Sequence, residues 1–253
     1  MGLRDRKKIE VKQKTYVTLQ ASVSEMSTQR NSILFGFPPP SVFLSFIINL
    51  LMKSGLTDNY KDIGVLIGVN NFEYTSETQR GINQDKNIPK LIKKGRSMLD
   101  FKLTFSFLTD ERDKFKIEEL LKFHLLSCRL SSGSLVLNEA SGIEIESKTE
   151  LLSVCYEKDK AIRKMIPTFI MKESPLESDN LKDLIREITE VGSKKELISA
   201  GKSFISNIED KEIYAEEIYG AVSFKALTTS NISSQKFWRF ESTENYILTK
   251  TGE

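Results

Sequence analysis

Residues 35–40 read Phe-Gly-Phe-Pro-Pro-Pro and run straight into an apolar stretch at 42–52. Few features constrain a chain more. Proline lacks the N–H that a sheet ladder needs and holds φ near −65°, so an extended segment must stop here. The same fixed φ pre-sets the first turn of a helix. The sequence therefore predicts a stiff strand–turn–helix corner with Gly36 at its bend. Phe35 and Phe37 flank that glycine, where a ligand backbone could approach closely.

Periodicity supplies the elements around the corner. Val17, Leu19, Ala21 and Val23 fall on one face of a first strand over 16–23. A helix is expected over 41–54, with Gly55 as its C-cap, and a second strand over 62–74. The clearest strand is 98–108, where Leu99, Phe101, Leu103, Phe105 and Phe107 alternate with Asp100, Lys102, Thr104 and Ser106. An amphipathic helix follows over 110–128, and a further strand begins at 135. The order β-α-β-β-α-β predicts an α+β protein with a ferredoxin-like, RRM-type core. Between its second and third strands lies a basic insertion at about 75–97 without regular structure. Residues 1–150 are then an RNA-recognition-like core. Residues 151–253 form a smaller mixed segment, with helices over 180–191 and 194–204 and returning strands near 220–227 and 237–247.

The chemistry of the chain argues against most enzyme classes. Its only histidine, His124, falls on a predicted helix, and no P-loop, G-x-G-x-x-G or G-x-S-x-G pattern occurs. No metal-ligand spacing and no cofactor motif is found. Cys128 and Cys155 lie 27 residues apart with no C-x-x-C spacing, which predicts a reducing compartment and buried apolar roles. No apolar signal region follows the basic N-terminus, and 42–52 is too short to span a bilayer. These features predict a cytoplasmic protein.

Charge and small polar residues point to nucleic acid. The net charge of +2 conceals a basic first half and an acidic stretch at 173–219. Arg80, Lys90, Lys93, Lys94 and Arg96 crowd the insertion, where cations could reach phosphates, and Arg30 lies in a polar loop. Arg129 precedes Ser131, Ser132 and Gly133, whose backbone N–H groups and hydroxyls could hold a phosphate; a plain turn is the alternative. Phe35, Phe37 and Trp238 offer ring faces for bases, and Arg239 adds charge beside Trp238.

An ordered set of segments resembles one known family. The stretch 32–49 is similar to its Trp-Gly-Phe-Pro-x-Pro-x-x-Phe-x-Gly-Phe signature, with Phe35 in place of the tryptophan and Ser45 in place of the second glycine. Lys94-Gly95-Arg96 with the strand after it resembles a Glu-Gly-Arg/Lys segment. Residues 129–135 are similar to Arg-Leu-Ala-Gly-Gly-Ser-Ile, and 163–169 to Arg-Arg-Leu-Leu-Pro-Gly-Phe. Residues 223–227 and 237–241 resemble its closing stretches. The family comprises the subunits of type I-F CRISPR Csy complexes that cap the 5′ handle of the guide RNA. The resemblance implies a non-catalytic RNA-binding subunit, with residues 75–97 as an inserted thumb, that contacts the first backbone-filament subunit and pairs with a large subunit. Target DNA would be met only within the complex. The chain is shorter than typical members, which implies a compact variant. Two other readings stay open at this stage. One is a metal-independent endoribonuclease processing precursor guide RNA; the other is a protein-binding scaffold that works through its acidic half.

Overall fold

The computed structural model describes residues 12–27, 37–79, 82–83, 88–89, 93–136, 152–175, 183, 186, 195–207 and 212–252. The chain begins with β1 (Gln13–Ser27), and the proline corner leads into α1 (Pro40–Lys53). Pro40 occupies the first turn of α1, as its fixed φ favours, and Gly55 leaves the helix at φ +65°. Strand β2 (Gly64–Gln79) follows, then the two-residue pieces β3 (Ile82–Asn83) and β4 (Ile88–Pro89), then β5 (Lys93–Thr109). Helix α2 (Lys114–Leu125) is capped by Asp113, whose carboxylate accepts the Phe115 N–H at 2.9 Å. A short hairpin, β6 (Arg129–Leu130) and β7 (Gly133–Val136), comes next.

The second half supplies β8 (Leu152–Cys155), α3 (Lys158–Arg163) and β9 (Phe169–Ser174). It continues with β10 (Lys195–Asn207), β11 (Glu212–Ala226), β12 (Phe237–Ser242) and β13 (Tyr246–Gly252). All but β3 and β4 join one 11-stranded antiparallel sheet in the order β12-β13-β10-β11-β9-β2-β5-β1-β7-β6, with β8 also on β1. Strand β12 returns to β2 through the pair Trp238↔Val65, so β2, β9, β11, β10, β13 and β12 close into a ring.

This architecture overturns the expected α+β ferredoxin-like core. The protein is mostly β, with three α-helices among the described residues against 11 strands in one sheet. Two physical reasons account for the difference. First, β2 and β5 run 16 and 17 residues, so both ends of the supposed thumb are ladder: Thr78 pairs with Lys94 and Gln79 with Lys93. Second, the C-terminal half extends the same sheet instead of packing beside it. The helix expected over 194–204 is β10, drawn into extended conformation by twelve register pairs with β11. The helix expected over 180–191 lies outside the described residues except for 183 and 186.

Alternation places the two faces of the sheet. Val17, Leu19, Ala21 and Val23 of β1 and Leu99, Phe101, Leu103, Phe105 and Phe107 of β5 are buried against α1 and α2. Helix α1 contributes Phe43, Leu44, Ile47, Leu50 and Leu51 to that core, and α2 contributes Ile117, Leu121 and Leu125. Each such side chain contributes about 1.5–3 kcal/mol by leaving water. The opposite face carries Tyr16, Thr18, Thr104 and Ser106 and is capped by α3. There the Thr18 hydroxyl donates to the Ala161 carbonyl at 2.9 Å, and Ala161, Ile162 and Met165 pack with Leu227, Ile232 and Phe237. Cys128 is buried and Cys155 half-buried, and neither is in a disulfide. Among the described residues no helix is long and apolar enough to cross a membrane.

Candidate nucleic-acid interface

Three sequence-predicted residues or segments meet at one end of the sheet. The register of β1 against β5 slips between Val23 and Met26, and Glu25 within that bulge has φ +57°. Beside the bulge, β6 and β7 are joined by the two-residue turn Ser131-Ser132, with φ of +48° and +68°. Left-handed geometry at both central residues is the type I′ pattern, whose twist matches that of the flanking strands. The turn is tied to β1 by the Ser27 N–H, which donates to the Ser131 carbonyl at 3.2 Å. Arg129 is exposed on β6 opposite Ser134, and Arg96 pairs with Ser27 across the β1–β5 ladder. Arg96, Arg129 and the serine turn are thus brought together.

Gly133 lies against β1. A Cβ there would stand 2.8 Å from the Ser24 carbonyl oxygen, and closer still to Val23. Its missing side chain lets β7 lie against the bulge of β1. The Arg96 guanidinium is already bonded to the Glu25 carboxylate, both side chains being more than half exposed. Beyond the last β1 pair, Ser27↔Arg96, the β2–β5 ladder continues alone through Glu77↔Gly95, Thr78↔Lys94 and Gln79↔Lys93. Lys93 and Lys94 therefore sit on a two-stranded arm. Arg30, Phe35, Gly36, Arg80 and Lys90 lie outside the described residues.

The rings expected to stack on bases are elsewhere. Phe37 is 4% exposed, with ring centroids of Phe72 and Phe224 at 5.2 and 5.1 Å. Trp238 is 1% exposed, and its indole N–H donates to the Met171 carbonyl at 3.2 Å. Both rings are core groups that hold the proline corner and the strand ring together, and neither offers a free face to a base. His124 meets the Phe123 ring edge-on at 4.9 Å on α2.

Of the Trp238-Arg239 pair, only Arg239 joins a surface cluster, one the sequence reading missed. The Lys14 ammonium lies 6.0 Å from the centroid of the Tyr16 ring, and the Lys158 ammonium 5.7 Å from that of Phe237. The two rings are themselves 6.2 Å apart. Burial of its stem, then the charges of Arg239 and Lys158, hold the Lys14 ammonium below the ordinary lysine range, with Asp62 opposing. The available signal was the second face of β1, where Lys14 and Tyr16 alternate with the buried Thr15 and Val17. From Arg96 to Ser106, the cluster's neighbour on β5, is ten residues, about 33 Å of strand.

No family model matches this chain, and no curated protein matches it.

Proposed function

We propose that this chain is a non-catalytic RNA-binding subunit of a type I-F-like CRISPR surveillance complex, holding the 5′ handle of the guide RNA. The observation that carries the reading is the convergence of Arg96, Arg129 and the Ser131-Ser132 turn at the root of an arm bearing Lys93 and Lys94. Cations on an arm and beside a tight turn can follow an unpaired backbone through its phosphates, while splayed bases carry the sequence information. The ordered segments that resemble the handle-capping family, from the proline corner to the closing strands, point the same way. On this reading the acidic stretch at 173–219 faces protein neighbours: a backbone-filament subunit and a large subunit. No cofactor takes part.

Changing Lys93, Lys94 and Arg96 together to Ala tests the reading in a gel-shift titration with a short 5′-handle RNA. Affinity should fall, and the slope of log K against log salt should flatten by up to about 2, at roughly 0.7 per single-strand phosphate contact. Unchanged affinity and slope would remove the arm from the interface. Absence of any RNA from the purified chain co-expressed with a guide would remove the function. Cleavage of repeat RNA in EDTA would move the protein to the endoribonuclease class.

A further inference from the structure

The second face of the sheet carries a cluster that the proposed handle contacts do not use. Lys14 comes from β1, Lys158 from the start of α3 and Arg239 from β12, so three separate elements deliver cations to one place. None of the ion pairs among the described residues includes any of the three. Asp62, the carboxylate that acts on Lys14, already accepts the Asn59 amide at 2.6 Å. Two aromatic rings in contact, Tyr16 and Phe237, hold the lysine ammoniums from below.

Glycine makes the floor. A Cβ on Gly64 would stand 3.3 Å from the guanidinium carbon of Arg239 and 3.2 Å from the Ser106 hydroxyl oxygen. The bare β2 backbone thus admits Arg239 across the sheet, directly beside Ser106. Both the Ser106 hydroxyl and the Arg239 Nε are buried without a hydrogen-bond partner. A buried donor left without an acceptor is destabilising, because its hydration is lost and nothing replaces it. Concentrating three like charges around it adds repulsion. An anion accepting from the guanidinium and both ammoniums relieves these costs together.

From this geometry we infer a phosphate-binding site formed by Lys14, Lys158 and Arg239, roughly 33 Å along the sheet from the arm. Its chemistry suits either a phosphodiester of a bound strand or a free phosphate. The strand source rests on the proposed function; the phosphate site itself does not. On the strand reading, RNA leaving the handle end runs along the sheet and is gripped a second time.

Two measurements on the full chain separate these readings. Inorganic phosphate, compared with chloride at equal ionic strength, should raise Tm of the wild type and leave Lys14→Gln/Lys158→Gln unshifted. The charge-retaining pair Lys14→Arg/Lys158→Arg should recover the shift, showing that charge is the cause and that the site still folds. An equal phosphate shift in the wild type and the Gln pair, or no shift in the wild type, would overturn the site. For the strand source, fluorescence anisotropy of a labelled single-stranded oligouridine is read against salt. The Gln pair should lower the slope by about 1.4, two contacts at roughly 0.7 each. A wild-type slope in that variant together with a lost phosphate shift would assign the site to a free phosphate. Failure of the wild type to bind RNA at all would overturn the proposed function, while the phosphate shift still decides the site.

Discussion

Trp238 offers the sharpest test of the strand ring, because it is the only tryptophan in the chain and stands at the one β12–β2 pair. Truncating Trp238→Ala removes a side chain that is 1% exposed and deletes the donor to the Met171 carbonyl. A buried tryptophan withdraws up to about 250 Å² from water, which at ~25 cal/mol/Å² bounds the transfer contribution near 6 kcal/mol. Measured truncations of this kind cost about 3–5 kcal/mol, a large share of a typical total of 5–15. With an unfolding entropy of about 2.1 cal/mol/K per residue over 253 residues, Tm should drop by about 6–9 °C. Urea titration followed by circular dichroism measures the same loss without needing the indole. In the wild type, Trp238 emission should be blue-shifted, resist acrylamide quenching and stay unchanged on RNA binding. A loss below 1 kcal/mol, or strong quenching of the folded protein by acrylamide or RNA, would refute the burial argument. It would also return Trp238 to the base-stacking role that its sequence context suggests.

Gly133→Ala should destabilise by about 1–3 kcal/mol, since the added methyl meets the Ser24 carbonyl of the β1 bulge as well as the Val23 side chain, and backbone cannot swing aside. A urea midpoint within error of the wild type would mean that β7 can back away. Glu25→Gln should cost less than about 1 kcal/mol, because the pair with Arg96 is more than half exposed. By freeing Arg96 it should tighten handle RNA and steepen the salt slope; weaker binding would mean that the pair orients Arg96 for its ligand. Lys102 is 7% exposed, and burial holds its ammonium below the ordinary value of 10.5. The folded state therefore binds this proton less tightly than the unfolded chain, so the penalty is full at neutral pH and is relieved as pH rises toward 10.5. Lys102→Met should stabilise by about 1 kcal/mol at pH 7, with a gain that shrinks at alkaline pH. A pH-independent gain would assign the effect to packing.

Local patterns carried some elements a long way. The alternation from Leu99 to Phe107 marked β5 and its core face, because period-2 spacing reports which side of a strand is buried, whatever that strand pairs with. The prolines before α1 and Gly55 after it set that helix within a residue, because their backbone restrictions are intrinsic. Basic residues at 93, 94, 96 and 129 were visible as charges, and the serine turn as a run of small polar residues.

Partnership was decided by the tertiary structure. Period-2 spacing says that a segment is a strand; it does not say which strand lies alongside or when the sheet stops. A four-stranded reading and an 11-stranded sheet with a closed ring therefore share the same local signals. Residues 195–207 could be written as helix or strand until β11 supplied their hydrogen bonds. Phe37 and Trp238 became core groups, and Gly133 a packing necessity, only when distant elements closed over them. Lys14, Lys158 and Arg239 are more than two hundred residues apart from first to last, and nothing in their own neighbourhoods brings them together. Side-chain periodicity is written in neighbouring residues, whereas sheet pairing and charge clustering are free energies of contacts between distant ones.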